Sequence, residues 1–88
     1  MMFNIKLEPQ EQPCGARFNN QVVMTKGFNE LFEPFSSLIA LTTLQKIIKE
    51  RVNSKEEADY LQVAMCQDNK FWVIDDGSYV TFLLPSEY

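Results

Sequence analysis

The sequence predicts a single α+β domain in two layers: one main helix packed on a three-stranded antiparallel meander, with an N-terminal strand arm over residues 1–27. Three observations carry this expectation. Residues 59–84 contain three apolar runs divided by the turn signals Asp68-Asn69 and Asp76-Gly77. Residues 34–52 repeat apolar side chains at steps of three and four. The first 27 residues hold two short apolar stretches separated by a loop-like segment.

In the meander, closing the first hairpin at Gln67 and Lys70 sets Cys66 opposite Phe71, Ala64 opposite Val73 and Gln62 opposite Asp75. Closing the second at Asp75 and Ser78 sets Val73 opposite Val80 and Phe71 opposite Phe82. Side chains alternate across a sheet, so one face carries Leu61, Val63, Met65, Trp72, Ile74, Tyr79, Thr81 and Leu83. The other carries Tyr60, Gln62, Ala64, Cys66, Phe71, Val73, Asp75, Val80, Phe82 and Leu84. Both faces are mostly apolar, whereas a sheet solvated on one side shows a clean apolar and polar alternation. A cover is therefore expected on each side. The helix is assigned to the first face, which is bulkier and has no carboxylate; Gln62 and Asp75 mark the second as tolerant of water.

The helix is expected to begin at Pro34, whose missing N–H suits a first turn, and to bury a stripe through Phe35, Leu38, Leu41, Thr42, Gln45, Ile48 and Val52, widened by Ile39, Leu44 and Ile47. Glu30 and Glu33 lie near its positive end, and Lys46, Lys49 and Arg51 near its negative end. In the arm, residues 3–7 read as a strand ended by Glu8 and Pro9, and a second possible strand, Arg17 to Lys26, is built around Val22, Val23 and Met24 and stops at Gly27.

The 88 residues suffice for one domain and one modest core. Cys14 and Cys66 make no secreted disulfide framework, and no apolar run approaches membrane length, so a cytoplasmic setting is expected. The net charge of −4 weighs against direct nucleic-acid binding, which needs a basic footprint. The chain has no histidine, which removes the commonest general base and the commonest neutral metal ligand. Its three glycines are too scattered for a phosphate-cradling loop. Asp75-Asp76-Gly77 reads as a tight turn before it reads as a metal site, since it lacks the spacing of a calcium loop. No enzyme activity, cofactor or metal is expected.

The expected partner is another protein. The face left free by the helix presents Tyr60, Phe71, Val80 and Phe82, and these, with Asp75 and Asp76, are the candidate partner-binding residues. Glu56, Glu57, Asp59, Asp75 and Asp76 converge on one end of the sheet, an acidic rim able either to keep the protein soluble or to imitate phosphates in the basic groove of a nucleic-acid enzyme. A homodimer paired through a sheet face or edge is the alternative.

Thr25-Lys26-Gly27 with Asn29-Glu30, Asp59-Tyr60-Leu61-Gln62-Val63, Val73-Ile74-Asp75-Asp76-Gly77, Leu83-Leu84 and Glu87-Tyr88 fall in the order seen in an uncharacterised family of short staphylococcal and streptococcal proteins, which the chain resembles over about a third of its length. It departs from that pattern between Val63 and Phe71, where the family has a longer insertion, and in its added N-terminal segment. The resemblance implies a Gram-positive bacterium or its phage as origin and transfers no site. It also suggests a subclass for a small binding module: an accessory or inhibitor protein acting on a host enzyme, such as an anti-defence or anti-CRISPR inhibitor.

Overall fold

The computed structural model describes residues 3–88. Its frame is one five-stranded sheet of order β1-β3-β4-β5-β2, formed by β1 (Ile5–Leu7), β2 (Gln21–Met24), β3 (Leu61–Cys66), β4 (Asn69–Asp75) and β5 (Tyr79–Leu83). The expected meander is its centre. The N-terminal arm divides between the two edges: β1 runs antiparallel to β3, and β2 runs parallel to β5. The α+β class therefore stands, while the expectation of three strands and one helix is corrected to five strands and two helices.

The additional helix is α1 (Lys26–Phe32). Thr25 caps it, its hydroxyl accepting from the Phe28 N–H at 3.2 Å, and Phe28 and Phe32 lie four residues apart on its buried side. The main helix, α2 (Ser36–Ile47), starts two residues after Pro34 and continues into a π-helical turn over Ile48–Val52, where the Asn53 N–H reaches the Ile48 carbonyl five residues back. A hydrogen bond from the Ser36 hydroxyl to Asn29 Oδ1 ties the two helices together.

Both hairpin registers differ from expectation. The first turn is Gln67-Asp68, both residues having positive φ (53° and 63°), so Cys66 faces Asn69 and Ala64 faces Phe71. Phe71 then stands across from a small side chain and under the rings of Phe28 and Phe32, at centroid distances of 5.1 and 5.5 Å. The second turn is Gly77-Ser78: the Asp76 N–H donates to the Tyr79 carbonyl, and the Asp76 carboxylate accepts from the Ser78 and Tyr79 N–H groups, both at 2.8 Å. Each register moves by two residues, which leaves every side chain on the face expected of it.

What reverses is the choice of face. The helices cover the side bearing Gln62, Ala64, Cys66, Phe71, Val73, Asp75, Val80 and Phe82, all of them buried. Phe28, Phe32, Ile39 and Ile47 close the core from above, joined by Phe18 from the loop that precedes β2. On α2 the buried side runs through Ile39, Ala40, Thr43 and Ile47; of the expected stripe its widening residues Ile39 and Ile47 are buried, whereas Phe35, Leu38 and Leu41 from its main line are exposed.

Gln62 and Asp75 tolerate burial because distant segments satisfy them. Gln62 Oε1 accepts from Arg51 Nη1 at 3.1 Å, and its Nε2 donates to Gln10 Oε1 at 2.8 Å and to the Asp59 carbonyl at 3.0 Å. Asp75 accepts from the Phe18 N–H at 2.9 Å, from Asn20 Nδ2 at 2.8 Å and from the Gly77 N–H at 3.0 Å. Buried polar groups with full sets of partners carry little penalty.

Candidate functional site

The second face of the sheet is covered, among the described residues, by neither α1 nor α2. Its side chains form three rows. Lys6, Met65 and Lys70 are at one end, Val63, Trp72 and Leu83 in the middle, and Leu61, Ile74, Thr81 and Val23 at the other. Leu61, Val63, Met65, Trp72 and Ile74 are each half-buried, and Leu83 is buried. The charged side chains of the three rows are Lys6 and Lys70, and Lys70 Nζ pairs at 3.1 Å with Glu8, which lies beside Val63. The middle of the surface is broad and apolar, a composition that on a small protein marks contact with another molecule.

The C-terminus roofs one corner of this surface. A 3₁₀ turn over Pro85–Glu87 carries Tyr88 onto Trp72, ring centroids 5.4 Å apart in an edge-to-face arrangement, while Tyr88 itself stays 81% exposed. Glu87 secures the turn. Its carboxylate accepts from the Thr25 hydroxyl, from the Gly27 N–H at 3.0 Å and from the Leu84 N–H at 2.9 Å. The Thr25 hydroxyl, then the Leu84 and Gly27 N–H groups, hold the carboxyl below its ordinary pKa of 4.5. A Cβ at Gly27 would lie 2.6 Å from Glu87 Oε2, so a larger residue there would displace the carboxylate from this position.

The expected partner-binding residues lie in different settings. Phe71, Val80 and Phe82 are fully buried beneath α1 and α2, so as a contact surface they are replaced by the opposite face. Tyr60 is exposed, at the end of the sheet just before β3. Asp75 is buried and anchors residues 18–20 and the second turn. Asp76 is exposed, and hydrogen bonds from the Tyr79 and Ser78 N–H groups lower its pKa.

The acidic rim dissolves in the same way. Asp59 is buried, accepting from the Gln12 N–H at 2.9 Å and the Leu61 N–H at 3.2 Å, so that with Asp75 two of the five carboxylates hold loops instead of facing outward. Among the described residues no group of three or more Cys, Asp or Glu side chains is placed to hold a metal ion, and no helix is long and apolar enough to cross a membrane.

Cys66 lies buried in the core, where desolvation raises its thiol pKa, and Cys14 is exposed; the two are unpaired. The uncovered face would have been found from the sequence had the helix been placed over Phe71 and Phe82, since its membership was readable from alternation alone. No family model, curated protein or solved structure matches the chain.

Proposed function

We propose that this protein is a small non-enzymatic binding module that docks another folded protein against the open face of its sheet, with Trp72, Ile74, Val63 and Leu61 as the contact centre. The observation that carries this reading is that, among the described residues, neither α1 nor α2 covers that face, although its central rows are mostly apolar. Trp72 is suited to anchor such a contact, because it combines a large apolar area with an N–H able to donate across the interface. Tyr88 extends the aromatic surface. The partner class is a protein presenting an apolar helix or sheet face, and a charged groove fits poorly: the central rows carry no charge. An accessory or inhibitory role toward a bacterial host enzyme, in the cytoplasm, is the biological setting proposed, and it rests on the resemblance to short Gram-positive proteins.

The test is recovery of a stoichiometric partner from a Gram-positive lysate with the wild-type chain and with Trp72→Ala and Ile74→Asp. Binding that is lost in both variants, with their folds intact and with little dependence on salt, supports the reading. Full recovery by both variants, or a monomer that takes no partner at all, defeats it.

A further inference from the structure

The two edges of the sheet are finished differently. At the β1 edge the strand has three residues, includes Lys6 and is stopped by Glu8 and Pro9. The groove between β1 and α2 is lined by Lys46, Lys49 and Glu50. Short length, charge and proline are the means by which edge strands avoid pairing with other chains. The β2 edge is also short, at four residues, but it carries neither charge nor proline. Its sequence is Gln-Val-Val-Met, no strand among the described residues pairs with its outer side, and Val22 is 40% exposed. Beside it a groove of about 230 Å³ runs between β2 and α2, lined by Val22, Met24, Ser37, Ala40, Leu41 and Leu44. From Ser36 to Gln45 the helix contains no charged residue, and Leu41 and Leu38 on its outer side are 53% and 41% exposed.

We propose that the β2 edge is a self-association surface, on which β2 of a second copy pairs antiparallel about a two-fold axis perpendicular to the sheet. The geometry selects a second copy over a lone extended peptide. An added strand would satisfy the free N–H and C=O groups of β2 but leave Leu38 and Leu41 on the helix layer in water. Under the two-fold, the second α2 lies on the same side of the joined sheet, so its own Leu38 and Leu41 meet these. A stable interface takes about 800 Å² from each partner, more than a four-residue edge supplies, and the helix flank provides the remainder. Charge agrees. A chain of net charge −4 repels its copy, and this neutral patch is where two copies approach with least repulsion. The result is a ten-stranded sheet whose two open faces form one continuous surface, so self-association is separate from, and compatible with, docking on the Trp72 face.

The experiment is sedimentation or light scattering of the full chain over a dilution series, under reducing conditions because Cys14 is exposed. The wild type is expected to shift from monomer to dimer with concentration. Leu41→Glu sets like charges against each other across the axis and is expected to weaken the dimer by about 100-fold or more. Val22→Lys repeats the test should Leu41→Glu fail to fold. Trp72→Ala is expected to leave the dimer unchanged. A wild type that stays monomeric to its solubility limit overturns the proposal. So does a dimer indifferent to these edge variants, whether or not Trp72→Ala dissolves it.

Discussion

Strand β4 has two faces with opposite fates, and the difference between them explains most of the molecule. Phe71, Val73 and Asp75 point into the core; Trp72 and Ile74, alternating with them, point away from every helix. Hydrophobicity does not separate the two sets, since the outward set is the more apolar. Shape and partners do. The inward face alternates large and small side chains, Phe71 across from Ala64 and Phe82 across from Val73, leaving hollows that Phe28 and Phe32 fill. The outward face is uniformly bulky and offers no such hollow. The lesson is that a helix settles where rings interlock, and that a polar residue on a face does not keep a helix away if other segments can satisfy it.

The sharpest way to break this comparison is to truncate one residue from each set. Phe71→Ala or Phe82→Ala removes a ring from the central aromatic cluster and is expected to destabilise the fold by roughly 3–5 kcal/mol in urea unfolding. Ile74→Ala, one strand position from the buried Val73, is expected to cost only about 1 kcal/mol, because the site is half open already. Equal losses on the two faces would mean that the outward face is covered too, by self-association or otherwise, and repeating the measurement at several protein concentrations separates those cases.

A smaller effect tests the claim that buried polar groups made the inward face habitable. Asp75→Ala leaves the buried Phe18 N–H without its acceptor and frees Asn20. The expected cost is about 1–3 kcal/mol. Proteolysis should then cut first between residues 8 and 20, since Asp75 and Asp59 tie that segment to the sheet. Native-like resistance there would show that the loop is held by Phe18 packing alone.

Those ties also mark the limit of what the sequence discloses. The two faces of the meander were legible in full, because alternation survives a register error of two residues; the register was not, because Asp68-Asn69 looks at least as turn-like as Gln67-Asp68. The covered face is not legible, because Gln62 and Asp75 read locally as residues that need water, and their partners Gln10 and Phe18 lie more than 50 positions away in the chain. Helix α1 was hidden by its seven-residue length and by Gly27, whose role depends on Glu87 at the far end of the chain. In α2, apolar residues occupy nearly the whole circumference, so the stripe through Leu38 and Leu41 competed with the one through Ile39 and Ile47. The candidate surface was thus readable as a set of residues, and its exposure was not.

The smallest expected effect concerns the corner where the two regions meet, since Glu87 joins α1 of the covered side to the turn that lays Tyr88 on the open side. A carboxyl whose folded pKa is depressed lends stability above its unfolded value and loses it as pH falls through the folded one. The contact should therefore be intact above about pH 4.5 and release on acidification below that value. Trp72 reports the release directly, because Tyr88 is its edge-to-face neighbour. The near-ultraviolet circular dichroism of the wild type is expected to change in this window while the far-ultraviolet signal, set by the sheet and α2, holds. Glu87→Gln should show the released signal at neutral pH and no further change in acid. Asp76, the other carboxyl held low, lies in the turn before β5 and is not in contact with the indole, so Asp76→Asn should leave the transition in place. A transition that persists in Glu87→Gln would detach the C-terminal turn from this mechanism and leave Tyr88 held by its contact with Trp72 alone.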